Sequence, residues 1–156
     1  MSKKDKININ KKRFPIGAFV PFFELFPEEA ELKTRKIMLL ENMFGLPKGT
    51  YFLAESYCTD KKCDCRKVMI NVVKIEDKPK ILGTVGFGWE DEKYYSEWVG
   101  DKEIGRQIVG SYLESGGIQT DQGKYCLDLV KNSLRDSHYV DLIKERYRTF
   151  KEIVQG

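Results

Sequence analysis

Three cysteines that fall within eight residues could bind a metal ion: Cys58, Cys63 and Cys65 form a C-x4-C-x-C array. Zinc in structural sites takes four ligands, commonly thiolates, in a tetrahedron. Four basic side chains surround the array and would lower the pKa of the thiols: Lys61, Lys62, Arg66 and Lys67. We therefore predict a structural zinc site at these three cysteines. Three unligated thiols, or an iron–sulfur or redox site, are the alternatives.

The fourth ligand of this predicted site stays open. Cys126 lies 61 positions after Cys65, on a helical stripe with Leu129 and Val130, where a cysteine is more often a small buried apolar residue. His138 is the single histidine of the chain and falls in the first turn of a predicted helix, where it could also cap or face solvent. A nearby carboxylate and a water molecule are the remaining alternatives for the fourth ligand.

Three strand-like runs must position the cysteines. They cover residues 51–58, 66–75 and 81–89, and the third alternates apolar residues at period two. Residues 76–79 (EDKP) predict a hairpin turn between the second and third runs. Short links between consecutive strands favour an antiparallel meander. The three cysteines and the basic residues around them (residues 58–67, here called the knuckle) fall in its first hairpin.

Helices are predicted on both sides of the strands. Pro27 suits a first helical position, and an apolar stripe of Leu32, Leu39, Leu40 and Met43 extends that predicted helix to about residue 44. Two further helices are predicted, over about residues 121–134 and from residues 136–137 onward. The fold class is therefore α+β, a small antiparallel meander packed by N- and C-terminal helices.

The charge of the chain is unevenly distributed. It carries 27 basic and 24 acidic residues, but residues 1–13 alone hold six basic and one acidic residue, a net charge of +5. The other 143 residues hold 21 basic and 23 acidic residues, a net charge of −2. We predict a disordered basic tail over residues 1–13 and a single domain over 14–156. The 41% hydrophobic content excludes a fully disordered chain.

The apolar run at residues 14–26 (FPIGAFVPFFELF) does not predict a secretory signal. Pro15 and Pro21 would break its helix, and Glu24 places a charge near its end. The run is also shorter than the roughly 18–20 residues needed to span a bilayer. We therefore expect a cytoplasmic protein that does not enter a membrane, in which cysteines are thiols or metal ligands before they are disulfides.

Three motifs resemble those of a set of small bacterial proteins with no assigned activity. They are Y-C-x4-C-D-C-R-x-V at residues 57–68, G-W-E at 88–90, and H-Y-V-x-x-I-K-x-R-Y-R-x-F-K at 138–151. The resemblance covers about residues 51–152 and implies metal binding at Cys58, Cys63 and Cys65. In that pattern a histidine precedes the tyrosine that matches Tyr147, whereas this chain has Arg146 there.

No enzyme signature is present in the sequence. A nucleophilic triad would require His138, and nothing in the spacing places a nucleophile beside it. Residues 83–88 (GTVGFG) match no phosphate-loop pattern, so their glycines indicate a bulge or close backbone packing. We expect a non-catalytic protein-interaction or adaptor module with a protein partner, for which Tyr94, Tyr95 and Trp98 are candidate contact residues. The alternative is an RNA- or DNA-binding module that uses the tail and the basic knuckle.

Overall fold

A six-stranded antiparallel sheet organises the part of the chain that the structure, a computed structural model, describes, which is residues 19–155. The strands are β1 (Phe19–Pro21), β2 (Arg35–Leu39), β3 (Gly49–Cys58), β4 (Lys67–Lys74), β5 (Lys80–Gly88) and β6 (Gly110–Leu113). Strands β3 to β6 follow one another across the sheet, while β1 and β2 share the far edge of β3. The predicted α+β class is confirmed, and the three predicted strands are β3, β4 and β5.

Six helices within the same residues flank this sheet. They are α1 (Phe22–Leu25), α2 (Pro27–Lys33), α3 (Glu92–Val99), α4 (Lys102–Ile108), α5 (Gly123–Ser133) and α6 (Ser137–Gln155). The two predicted C-terminal helices correspond to α5 and α6. Residues 90–103 contain six acidic residues and form α3 and the start of α4, where Asp91 and Asp101 accept backbone N–H groups as N-caps.

The helix predicted over residues 27–44 is wrong beyond Lys33. It ends there, and residues 35–39 form β2 along the N-terminal half of β3. The apolar stripe behind the prediction is not a core face, because Leu32 and Leu40 are each 84% exposed. The burial of β2 alternates instead, with Leu39 buried and Met38 exposed, which is the period of a strand.

The core lies between one face of the sheet and helices α5 and α6. Leu53, Ile70 and Val85 are fully buried on the strands, and Ile143 and Phe150 meet them from α6. Close packing of α5 on β5 explains a glycine of the GTVGFG run. A Cβ on Gly83 would lie 3.1 Å from the Cα of Gly123. The predicted role of these glycines in close backbone packing is therefore confirmed at Gly83.

The predicted disordered tail over residues 1–13 lies outside the described residues. None of the helices within residues 19–155 is long and apolar enough to cross a lipid bilayer.

Candidate metal centre

The β3–β4 turn brings the three predicted ligands together. Cys58 is the last residue of β3, and Cys65 lies two residues before β4, so an eight-residue hairpin loop closes the array. The Sγ atoms of Cys58, Cys63 and Cys65 all lie within 4.8 Å of one another. A tetrahedral site with Zn–S bonds of about 2.3 Å needs sulfurs about 3.8 Å apart. The three thiols therefore reach a metal-binding separation by small side-chain adjustments.

Burial and the hydrogen bonds between the thiols give the three cysteines different pKa values. Cys58 and Cys65 are buried, and Cys63 is half-buried. A hydrogen bond from Cys65 is the main cause that lowers the pKa of Cys58 to about 5. The same hydrogen bond, together with burial, raises the pKa of Cys65, and burial raises the pKa of Cys63. The cluster thus gains one negative charge readily and resists further charge, which a divalent cation would compensate.

Helix α6 holds the backbone of the knuckle loop through two side chains. The hydroxyl of Tyr147 accepts a hydrogen bond from the backbone N–H of Arg66 at 3.1 Å and donates to Oδ1 of Asp64 at 2.8 Å. Nζ of Lys151 donates to the carbonyl of Asp60 at 2.8 Å. Both ends of the loop are therefore fastened to one helix.

Helix α3 holds the same loop from another side. The hydroxyl of Tyr95 donates to the carbonyl of Arg66 at 2.7 Å, and the hydroxyl of Tyr94 donates to the carbonyl of Asp64. Arg66 has a positive φ of 49°, so the loop turns sharply where these contacts converge. Its guanidinium lies 4.7 Å from the centre of the Tyr94 ring.

These contacts correct the prediction that Tyr94, Tyr95 and Trp98 form an exposed partner surface. Tyr95 is fully buried, and Tyr94 is half-buried against the knuckle. Of the three, Trp98 is the one that stays exposed. Two of these aromatic side chains therefore support the cysteine site from within the fold.

Neither named candidate for the fourth ligand lies in the thiol cluster. Among residues 19–155, the group of closely placed ligand atoms consists of Cys58, Cys63 and Cys65, without Cys126 or His138. Cys126 is fully buried in α5, where its Cβ packs near the backbone of Gly83. His138 is exposed, and its backbone N–H donates to Asp136 at the start of α6.

The aspartates of the loop are engaged in other contacts. Asp64 pairs with Arg66 at 2.9 Å and accepts the Tyr147 hydroxyl. Oδ1 of Asp60 accepts the backbone N–H of Lys62 at 2.9 Å, which stabilises the turn itself. Their hydrogen bonds shape the loop around the sulfurs.

The basic side chains of the knuckle differ in ion pairing and in exposure to solvent. Arg66 pairs with Asp64 and lies 3.6 Å from Glu90, and Lys67 lies 3.7 Å from Glu114. Lys61 and Lys62 are exposed at the tip of the loop. Half of the positive charge that surrounds the thiols in the sequence is therefore balanced by acids within the fold.

Sequence reasoning missed the four side chains that hold the loop: Tyr94, Tyr95, Tyr147 and Lys151. Each acts across at least 29 residues of chain, so no local spacing signals the contact. Comparison of the chain with protein-family models, curated proteins and solved structures finds no match. The resemblance to small bacterial proteins accordingly stays a prediction, and the geometry of the site itself indicates its chemistry.

Proposed function

We propose that this protein is a zinc-stabilised, non-catalytic interaction module of the cytosol. The observation that carries the proposal is the convergence of three thiols at a turn whose backbone is fastened to α3 and α6. Bound zinc would tie the β3–β4 hairpin into a fixed shape and would add its binding free energy to that of folding.

Zinc fits these residues by donor type and by charge. Three thiolates and one neutral ligand around a divalent ion leave a net charge of −1, which is small enough to be offset locally. The charged Nζ of Lys151 already helps to lower the pKa of Cys58. Thiolate-rich sites are typical of structural zinc, whereas hydrolytic zinc sites use histidine and carboxylate ligands with an open position. Non-catalytic zinc is therefore the favoured interpretation.

An exposed apolar surface supports the interaction role. Met38 on β2 and Leu40 directly after it are 65% and 84% exposed, and Leu32, near the end of the preceding helix α2, is 84% exposed. Among the described strands, β2 pairs with β3 alone, so its outer edge presents free backbone groups. An edge strand with adjoining apolar side chains can accept an extended segment of a partner protein. We propose this β2 edge as the partner surface.

The metal part of the proposal is tested by elemental analysis of the purified protein. We expect about one zinc per chain. A Cys63→Ser/Cys65→Ser variant should lose it, while Cys126→Ser, which changes a cysteine outside the cluster, should retain it. Equal zinc content in all three proteins, or none in any, would contradict the site.

The interaction part is tested by cross-linking in the native host. A Leu32→Lys/Leu40→Lys variant should lose the protein that cross-links to the unmodified chain. The matched control is Ile118→Lys, because Ile118 is 53% exposed but belongs to another part of the surface. A partner that both variants retain, or the absence of any cross-linked partner, would refute a role for the β2 edge.

Nucleic-acid binding remains the alternative function. Arg66 and Lys67 form ion pairs with acidic side chains, which argues against phosphate binding by these two residues. Lys61 and Lys62 are exposed, which favours phosphate binding at the tip of the loop. Removal of residues 1–13 separates the two functions. Affinity for RNA or DNA that falls steeply with salt and disappears with the tail would favour the alternative over the interaction module.

A further inference from the structure

A second candidate site lies away from the cysteines, in a pocket of about 900 Å3 beside α1 and α2. This volume falls within the range of about 300–1,000 Å3 that is usual for small-molecule sites. Phe52, Ala54 and Val73 line it and alternate along β3 and β4 with the buried core residues, so they belong to the sheet face that α5 and α6 leave uncovered. Phe22 and Phe23 of α1 complete an apolar wall.

A buried ion pair reaches this pocket from the other face of the sheet, at residues 54–55 of β3, where the strand edge lies between the segments paired with β2 and with β1. Nη1 of Arg146 lies 2.8 Å from Oε2 of Glu55, and the two side chains are 2% and 1% exposed. The second carboxylate oxygen of Glu55 accepts the hydroxyl of Tyr57 at 2.6 Å. Both Glu55 and Arg146 line the pocket. The carboxylate therefore has partners for both of its oxygens.

The guanidinium of Arg146 is not fully satisfied. Within residues 19–155, its Nε and Nη2 are buried and have no hydrogen-bond partner. These two nitrogens are the adjacent pair whose N–H bonds run parallel, which is the edge that matches the two oxygens of a carboxylate. Leaving such donors unpaired in the interior is costly, and a buried polar group without a partner calls for an explanation such as a ligand.

We propose that this pocket binds a small amphipathic carboxylate. Its two oxygens would accept the parallel N–H bonds of Nε and Nη2 of Arg146, and its apolar chain would lie along the floor formed by Phe52, Ala54 and Val73. The apolar lining selects the chain, and the unpaired edge of Arg146 selects the charged head.

A ligand can reach the edge of Arg146 that bears Nε and Nη2 only when the wall of the pocket opens. The ring of Phe22 lies over the guanidinium, with the arginine Cζ 4.5 Å from the ring centre, and both unpaired nitrogens are closed to solvent. Phe22 belongs to α1, a single turn of four residues whose N-cap has no side-chain hydrogen bond. Phe22 is also 2% exposed and its ring stacks on Phe26, so a shift of this helix loses packing that ligand binding has to offset.

The test uses the full chain and two eight-carbon probes, octanoate and its neutral analogue octanamide, measured by isothermal titration calorimetry at pH 7. We expect octanoate to bind at least tenfold more tightly than octanamide. Equal affinities, or no binding of octanoate, would overturn the proposal. This comparison needs no variant, so misfolding cannot confuse it.

Two variants and one matched control variant locate the binding. The double change Glu55→Gln/Arg146→Met removes both charges together and should abolish the preference for octanoate, while leaving octanamide affinity similar. Ala54→Leu fills the floor of the pocket and should weaken both probes at least tenfold, whereas the matched Ala54→Ser should bind as the unmodified chain does. A preference retained by the double variant, or full affinity in Ala54→Leu, would place the carboxylate elsewhere and refute the proposed site.

Discussion

The buried pair between Glu55 and Arg146 allows a quantitative prediction about stability. In an Arg146→Met variant the carboxylate of Glu55 keeps the hydrogen bond from Tyr57 but loses its positive partner, 2.8 Å away. Removal of one partner from a buried ion pair costs about 3–5 kcal/mol, because the other charge is left uncompensated. For a chain of this size each kcal/mol lowers Tm by about 2–4 °C, so we expect a decrease of roughly 6–20 °C.

The double variant Glu55→Gln/Arg146→Met should recover most of that loss. It removes both charges, and it also removes the two unpaired nitrogens of Arg146 from the interior. Replacement of a buried pair as a unit is often neutral or stabilising. The assay is thermal and urea denaturation followed by circular dichroism. If the double variant is as unstable as Arg146→Met, the loss of stability comes from lost packing and not from an unpaired charge.

The pH dependence of the single variant provides a second check on this cause. Burial raises the pKa of Glu55 in the folded protein, and Arg146 opposes that rise. A carboxyl whose folded pKa exceeds its unfolded value contributes stability that is present at low pH and is lost as pH rises through the folded pKa. Without Arg146 the pKa of Glu55 rises further, so the stability gap between the unmodified chain and Arg146→Met should narrow as pH falls from 8 to 5.

Three further predictions concern the knuckle and its surroundings; urea denaturation measures the stability of the tyrosine and glycine variants, and elemental analysis measures the zinc content of the cysteine variant. Tyr147→Phe should lower the free energy of unfolding by about 1–3 kcal/mol, because the Arg66 N–H loses its acceptor. Tyr139→Phe is the control and should leave the free energy of unfolding almost unchanged, since within the described residues its buried hydroxyl has no partner. Equal losses in the two variants would contradict the role of Tyr147. Cys126→Ala should leave zinc content unchanged, and a decrease would place Cys126 among the ligands. Gly88→Ala should destabilise by about 1–3 kcal/mol, because its Cβ would lie 2.5 Å from the Ile108 carbonyl; unchanged stability would show that this contact relaxes freely.

Periodicity in the sequence was enough to predict the central sheet and the C-terminal helices. Strands β3, β4 and β5 and helices α5 and α6 carry strong local patterns that agree with their burial. The segment after Lys33 was misread because its leucines satisfy a helical period, although Leu32 and Leu40 face solvent. Pairing with β3 decides the conformation of residues 35–39, and that pairing is a tertiary contact.

The cysteine cluster was predictable because its three members are close in sequence and a hairpin turn must bring them together. The side chains that hold the loop were not, since Tyr95, Tyr147 and Lys151 reach it from distant helices. Arg146 was also missed. Arg146 lies three residues after Ile143 and four before Phe150 on α6, which places it on the buried face of the helix. This spacing in the sequence indicates a buried charge.

X-ray absorption at the zinc edge of the zinc-loaded protein tests the proposed metal centre most directly. We expect a first shell with about three sulfur atoms at about 2.3 Å and one lighter atom. Cys63→Ser should lower the sulfur count by one, and Cys126→Ser should leave it unchanged, because Cys126 lies outside the cluster. A shell of nitrogen and oxygen alone, or a sulfur count that does not respond to Cys63, would contradict a zinc site built on Cys58, Cys63 and Cys65.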